Sequence, residues 1–274
     1  MPETEEVQTE VYKRNRGVVW TQGIIFECKF CALVFVRMKN LRHKFELATN
    51  VEGHGYFDDA FVKYIDENYR KSHIFVQVKF KRSHTITMQQ LLKPRTGDFS
   101  LRKVYESYIQ IEKQFNCSGE GVKLEGSIDE SLFIIYTNTD VEQGLKSYNV
   151  IDFSQAQFLM TGGSVLQFNE EEHPGIYEHL QDLPKHREFL SRLRICYSQA
   201  GEMGMDRHIK SELQQIMELP DSLVDIACTY FIDIMMEWWQ HEKFVLKDTN
   251  PREKDPLRKT SERIGHMRSL IREK

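Results

Sequence analysis

The sequence predicts an α/β fold: a mixed sheet flanked by helices, followed by a mainly helical C-terminal part. Three observations carry that prediction. A dense apolar segment of helical length, GIIFECKFCALVFVRMKNL, precedes a series of short alternating segments. Two of these segments are joined by a short polar stretch, which makes them an antiparallel hairpin. Further on, LFIIYTNT is apolar almost throughout, the pattern of a strand buried on both faces at a central or parallel position.

In order, MPETEEVQTE is acidic and has no apolar core, which predicts a disordered tail over 1–16 rather than a signal peptide. The first helix is expected from near Gln22 or Gly23 to just before Arg42, apolar on most sides and so buried against the sheet. HKFELAT, from His43 to Thr49, alternates and reads as a strand. A second strand runs from about Phe57 to Ile65, DENYRKSH turns, and a third runs from about Ile74 to Lys81. ITMQQLLK reads as a short helix stopped by Pro94 and Gly97. In the next helix Leu101, Val104, Tyr105, Tyr108, Ile109 and Ile111 recur at helical spacing, with Asp98 or Ser100 as its cap. The strand from Leu132 follows a glycine-containing loop, and VIDF and VLQF read as two more short strands. From Pro174 the pattern is helical: IYEHL, HREFLSRLRICYSQ, DRHIKSELQQIM, SLVDIACTYFIDIMMEWWQHEKF and a charged stretch from Leu257. The expected organisation is a tail over 1–16, an α/β domain over 17–168 and a helical region over 169–274.

Composition narrows the function classes. The 274 residues are 40% hydrophobic and 28% charged, with a formal net charge of −4. A nucleic-acid partner therefore requires a local basic patch. The apolar run from Ile24 to Val36 is too short to span a bilayer and contains Glu27 and Lys29, which predicts no membrane association. Five scattered cysteines, Cys28, Cys31, Cys117, Cys196 and Cys228, fit reduced thiols in an intracellular protein, cytoplasmic or nuclear. Cys28-x-x-Cys31 has no second ligand pair, so both read as packing thiols. The histidines are not at HExxH spacing, GEGVKLEG lacks the ending of a phosphate loop, and no nucleophile elbow is present.

The hairpin holds the chemistry. Asp58 and Asp59 open its first strand, and Gln77, Lys79 and Lys81 alternate along the second. Two carboxylates and a glutamine oxygen are hard donors for Mg2+ or Mn2+, and a lysine on the same face can orient water and offset phosphate charge. The same pattern also suits exposed strands that match opposite charges. Glu27, an acid in an apolar helix, reads either as a solvent-edge carboxylate or as an acid projecting towards the hairpin.

The order GIIFECKF…FELATN…FDDAFVKY…IFVQVKFK resembles the PD-(D/E)xK nuclease superfamily, and its Gln-Val-Lys form resembles the Mrr-type restriction endonucleases, in which glutamine replaces the second acid. It is also similar to nuclease-like domains of animal NTPase and ankyrin-repeat proteins and, more distantly, to double-stranded-DNA endonuclease domains of bacterial anti-phage effectors. The likeness is strongest from Gly23 to Lys81. It implies a restriction-endonuclease-like sheet and hydrolysis of double-stranded DNA with Mg2+ or Mn2+. Asp59, with Asp58 as the competing choice, would be the first metal ligand, Gln77 the second, Lys79 the catalytic lysine and Glu27 a helix-borne acid. Beside them Lys81, Arg82, His84, Lys93 and Arg95 form a basic segment suited to phosphate-backbone contact. Gln77 in place of an acid leaves a second expectation, a silent domain of the same fold that binds DNA or protein. Both leave room for further domains or a homo-oligomer.

Overall fold

In the computed structural model a seven-stranded sheet separates two hydrophobic layers. The structure describes residues 15–66, 69–82, 85–116, 124–146, 153–240, 245–248 and 254–272, with 15–20 and 268–272 described by backbone alone. Of the tail expected over 1–16, residues 1–14 lie outside the described residues, as do most of VIDF and Cys117, while Asn15 and Arg16 belong to the first helix rather than to a tail.

Helix α1 (Asn15–Asn40) begins earlier than the sequence predicts, because a lone glycine at Gly23 weakens a helix without ending it. Strand β1 (Lys44–Ala48) pairs antiparallel with β2 (Ala60–Ile65), and β2 pairs antiparallel with β3 (Lys71–Lys79), which confirms the hairpin. Its first strand starts three residues late, since Gly55–Phe57 winds into a 3-10 turn that buries Tyr56 and Phe57. Two bridging residues, β4 (Thr85–Ile86), lead to α2 (Met88–Leu91), whose first turn is closed by a capping box between Thr87 and Gln90. Helix α3 (Leu101–Asn116) is capped by Ser100, whose Oγ accepts from the Lys103 amide at 3.5 Å.

Strand β5 (Ser131–Thr137) is central and parallel to β3, as its apolar run predicts. A short β6 (Asp140–Val141) pairs with β4, and β7 (Ser164–Gln167) is the VLQF strand. Helices α4 (Pro174–Leu180) and α5 (His186–Arg192) follow. The helical reading of HREFLSRLRICYSQ is corrected here: its second half is β8 (Leu193–Tyr197), inserted between β5 and β7. All five residues of β8 are buried, and the spacing of Phe189, Leu190 and Leu193 mimics a helical stripe until the ladder with β5 decides otherwise. Helices α6 (Glu202–Met217) and α7 (Asp221–Gln240), strand β9 (Leu246–Lys247) and helix α8 (Pro256–Arg272) complete the chain.

The sheet order is β7-β8-β5-β3-β2-β1-β9. Alternation sends Ile74, Val76, Val78, Ile134 and Tyr136 to one face, where α1 lies between the sheet and α6 with α7. It sends Phe75, Phe133, Ile135, Leu193 and Ile195 to the other face, against α3. Trp238 belongs to the first layer, so the aromatic stripe of α7 is core packing.

Candidate metal centre at the fork between β2 and β3

The β2–β3 ladder ends at the pair Ala60–Val76. Beyond it β3 continues for three residues, paired only with β5 through Gln77–Ile135, Val78–Tyr136 and Lys79–Thr137. The two strands therefore part, and the Val78 amide loses the partner that β2 would have supplied. Asp59, one residue before β2, fills the gap: its Oδ2 accepts from Val78 N at 2.7 Å and from Gln77 Nε2. The turn is held on the other side by Asn50 N donating to Asp58 O at 2.7 Å, and the Cys31 thiol of α1 lies 3.9 Å from Asp59 O.

Glu27 reaches this fork from α1. Burial first, then the Asp59 carboxylate, push its carboxyl up to about 8, with Lys79 opposing and Asp58 adding to the rise. Asp59 is pushed up to about 6, because burial outweighs the help it receives from Lys79, the Val78 amide and Gln77. The structure thus brings Glu27, Asp58, Asp59, Gln77 and Lys79 together in one electrostatic neighbourhood. Lys79 has no ion pair among the described residues; its Nζ sits 5.6 Å from the centre of the Tyr56 ring.

The donor set suits a hard divalent cation. Asp59 Oδ2 and Gln77 Nε2 are committed to each other, which leaves Asp59 Oδ1 and the Gln77 amide oxygen as ligand atoms. Carboxyls held up by burial and mutual repulsion carry more potential charge than Lys79 offsets, and a cation relieves that excess as a proton does. Among the described residues no three His, Cys, Asp or Glu side chains alone form a metal-holding group, so a neutral oxygen such as that of Gln77 would have to share the task.

The basic segment is less uniform than its sequence suggests. Lys81 lies beyond β3, not on it: its amide donates to Asn138 Oδ1 at 2.8 Å and its ammonium pairs with Asp98. Arg82 Nε donates to Gln22 Oε1 at 2.9 Å, Arg95 pairs with Glu106 at 2.7 Å, and Lys93 is exposed beside a 180 Å³ cleft that Lys81 and Thr139 also border. His84 lies outside the described residues. Sequence reasoning missed Tyr56 and Lys103, whose Nζ is 5.0 Å from the same Tyr56 ring. A larger cleft, 820 Å³, lies instead at the far end of β2 between Arg37, His43, Tyr64 and Gln155. Its charges are matched, Arg37 to Glu212 and Arg70 to Asp66, and it lacks the fork's uncompensated carboxyls.

No protein-family model and no curated protein matches this chain. None of the helices is long and apolar enough to cross a membrane among the described residues.

Proposed function

We propose that this chain is a metal-dependent endonuclease of the PD-(D/E)xK kind, cutting the phosphodiester backbone of duplex DNA with little sequence preference. The observation that carries the reading is the fork, where a carboxylate that ends a strand ladder is bonded to Gln77 and lies in the field of Lys79 and Glu27. Asp59 and Gln77 would hold Mg2+ or Mn2+, with Glu27 or Asp58 completing the protein's oxygen donors. When bound, the cation supplies a Lewis acid at a phosphoryl oxygen and lowers the pKa of water. Lys79 orients the attacking water and offsets the charge that develops on the phosphoryl group. The exposed Lys93, with Lys81 and Arg82, gives the backbone a path past the site. The four described cysteines are free and buried, which supports a reducing, intracellular setting.

One observation favours the silent alternative. Gln77 is buried and gives Asp59 a protein partner, so the fork can close on itself without a metal. Purified full chain, supercoiled plasmid and Mg2+ or Mn2+ separate the two. The endonuclease reading expects nicking that falls by about 10²-fold or more in Lys79→Ala, the usual worth of a group that handles the proton, and comparably in Asp59→Asn. Equal residual nicking in wild type and both variants, with DNA binding that weakens in salt, would establish the silent module instead.

A further inference from the structure

We propose that Lys103 is a phosphate-positioning residue, acting with Lys79 across the ring of Tyr56 so that the substrate backbone is held from α3 as well as from β3. The inference rests on the endonuclease reading above and extends its site to a helix that the hairpin motif does not include.

Tyr56 is a fixed point. Its hydroxyl donates to the Asp98 carbonyl, its amide donates to Ser107 Oγ at 2.7 Å, and its side chain is buried. Two ammoniums converge on this one ring, Lys79 at 5.6 Å and Lys103 at 5.0 Å from its centre. Each gains from the ring's electron-rich face, yet the two repel one another. Lys103 has no carboxylate partner among the described residues. The Asp98 carboxylate is taken up by Lys81.

Helix α3 adds to the mismatch. Its first turn contains Arg102 and Lys103 and no acid, against the preference of a helix start for negative charge. Arg102 is neutralised by Asp182 at 2.7 Å and donates to the His179 carbonyl, which leaves Lys103 as the unmatched cation of that turn. Two ammoniums without an ion pair among the described residues, beside a buried carboxylate fork, suit a ligand that brings both a cation-binding group and negative charge of its own. A phosphodiester backbone is such a ligand: one phosphate meets the fork while a neighbouring one meets Lys103.

The test uses the full chain, a duplex oligonucleotide for binding in EDTA from 50 to 200 mM salt, and steady-state cleavage in Mg2+. Lys103→Ala is expected to raise Kd and KM about tenfold, the worth of one charge-assisted contact, and to leave kcat unchanged. It also lowers the salt slope by about one. Lys103→Arg restores all three, because it returns the charge. Lys113→Ala, ten residues along the same helix and about 15 Å away, behaves as wild type. Wild-type values of Kd, KM and salt slope in Lys103→Ala, with cleavage intact, overturn this inference alone, as does a loss confined to kcat. A wild-type chain that neither binds nor cuts the duplex overturns the endonuclease reading and this one with it.

Discussion

Glu27 stands in the first layer among buried neighbours, Phe26 and Cys28, and faces the fork with a carboxyl raised to about 8. An acid whose folded pKa lies above its unfolded one adds stability that is complete below the ordinary 4.5 and is lost as pH rises through about 8. His54 has the opposite sign. It is buried with neither ring nitrogen hydrogen-bonded among the described residues, and burial pulls it down to about 4, so its contribution is present above 6.5 and lost as pH falls. The Glu27 slope is therefore read cleanly only above pH 6.5. Urea unfolding of the metal-free chain should show falling midpoints from pH 6.5 to 8, and Glu27→Gln should flatten the fall. An unchanged slope in that variant would remove Glu27 from the buried cluster. Binding of Mg2+ near pH 7 should release about one proton from wild type and less from Glu27→Gln, seen by calorimetry in buffers of different ionisation enthalpy.

At the scale of elements, α1 carries the glycine that hid its true start. A Cβ at Gly23 would meet nothing within 4 Å, and the residue lies inside a 26-residue helix. Gly23→Ala should therefore stabilise the chain by about 0.5–1 kcal/mol. Thermal unfolding should move up by a few degrees, roughly 2–4 °C per kcal/mol for a chain of this class; a lower melting temperature would mean that Gly23 serves a contact rather than a helix. The elements legible in the sequence were those whose pattern owed little to distant partners: the hairpin, the doubly buried β5, and the cap of α3 narrowed to Asp98 or Ser100, of which the structure selects Ser100. β8 was not legible, because its five buried residues are defined by ladders to β5 and β7. The site divides likewise. Asp59, Gln77 and Lys79 lie on one hairpin, where spacing sets them near one another and the resemblance, not the spacing, suggests their roles. Lys103 comes from another element, and its only local signal is a basic first turn without an acid.

For the whole molecule, the helical C-terminal half is no separate appendage. It supplies β8 to the interior of the sheet, α6 and α7 to the outer side of α1, and β9 to the edge beside β1. Lys29 of α1 pairs with Glu202 and Asp206 at 3.1 and 2.8 Å, and Arg37 with Glu212 at 2.8 Å, which ties the helix bearing Glu27 to α6. A chain cut after residue 168 should lack cooperative unfolding and yield quickly to protease. A sharp transition in circular dichroism from that fragment would show that 17–168 folds alone.

The fork also separates two kinds of constraint that act on a lineage. Asp59 ends a ladder whatever its chemistry, so under the proposed endonuclease reading a descendant that gave up cleavage would still be held to it by the Val78 amide it covers. Lys79 rests against an aromatic ring and is free to drift once no substrate needs it. On that reading, loss of the lysine among natural variants would mark a silent branch, while the aspartate would persist in both.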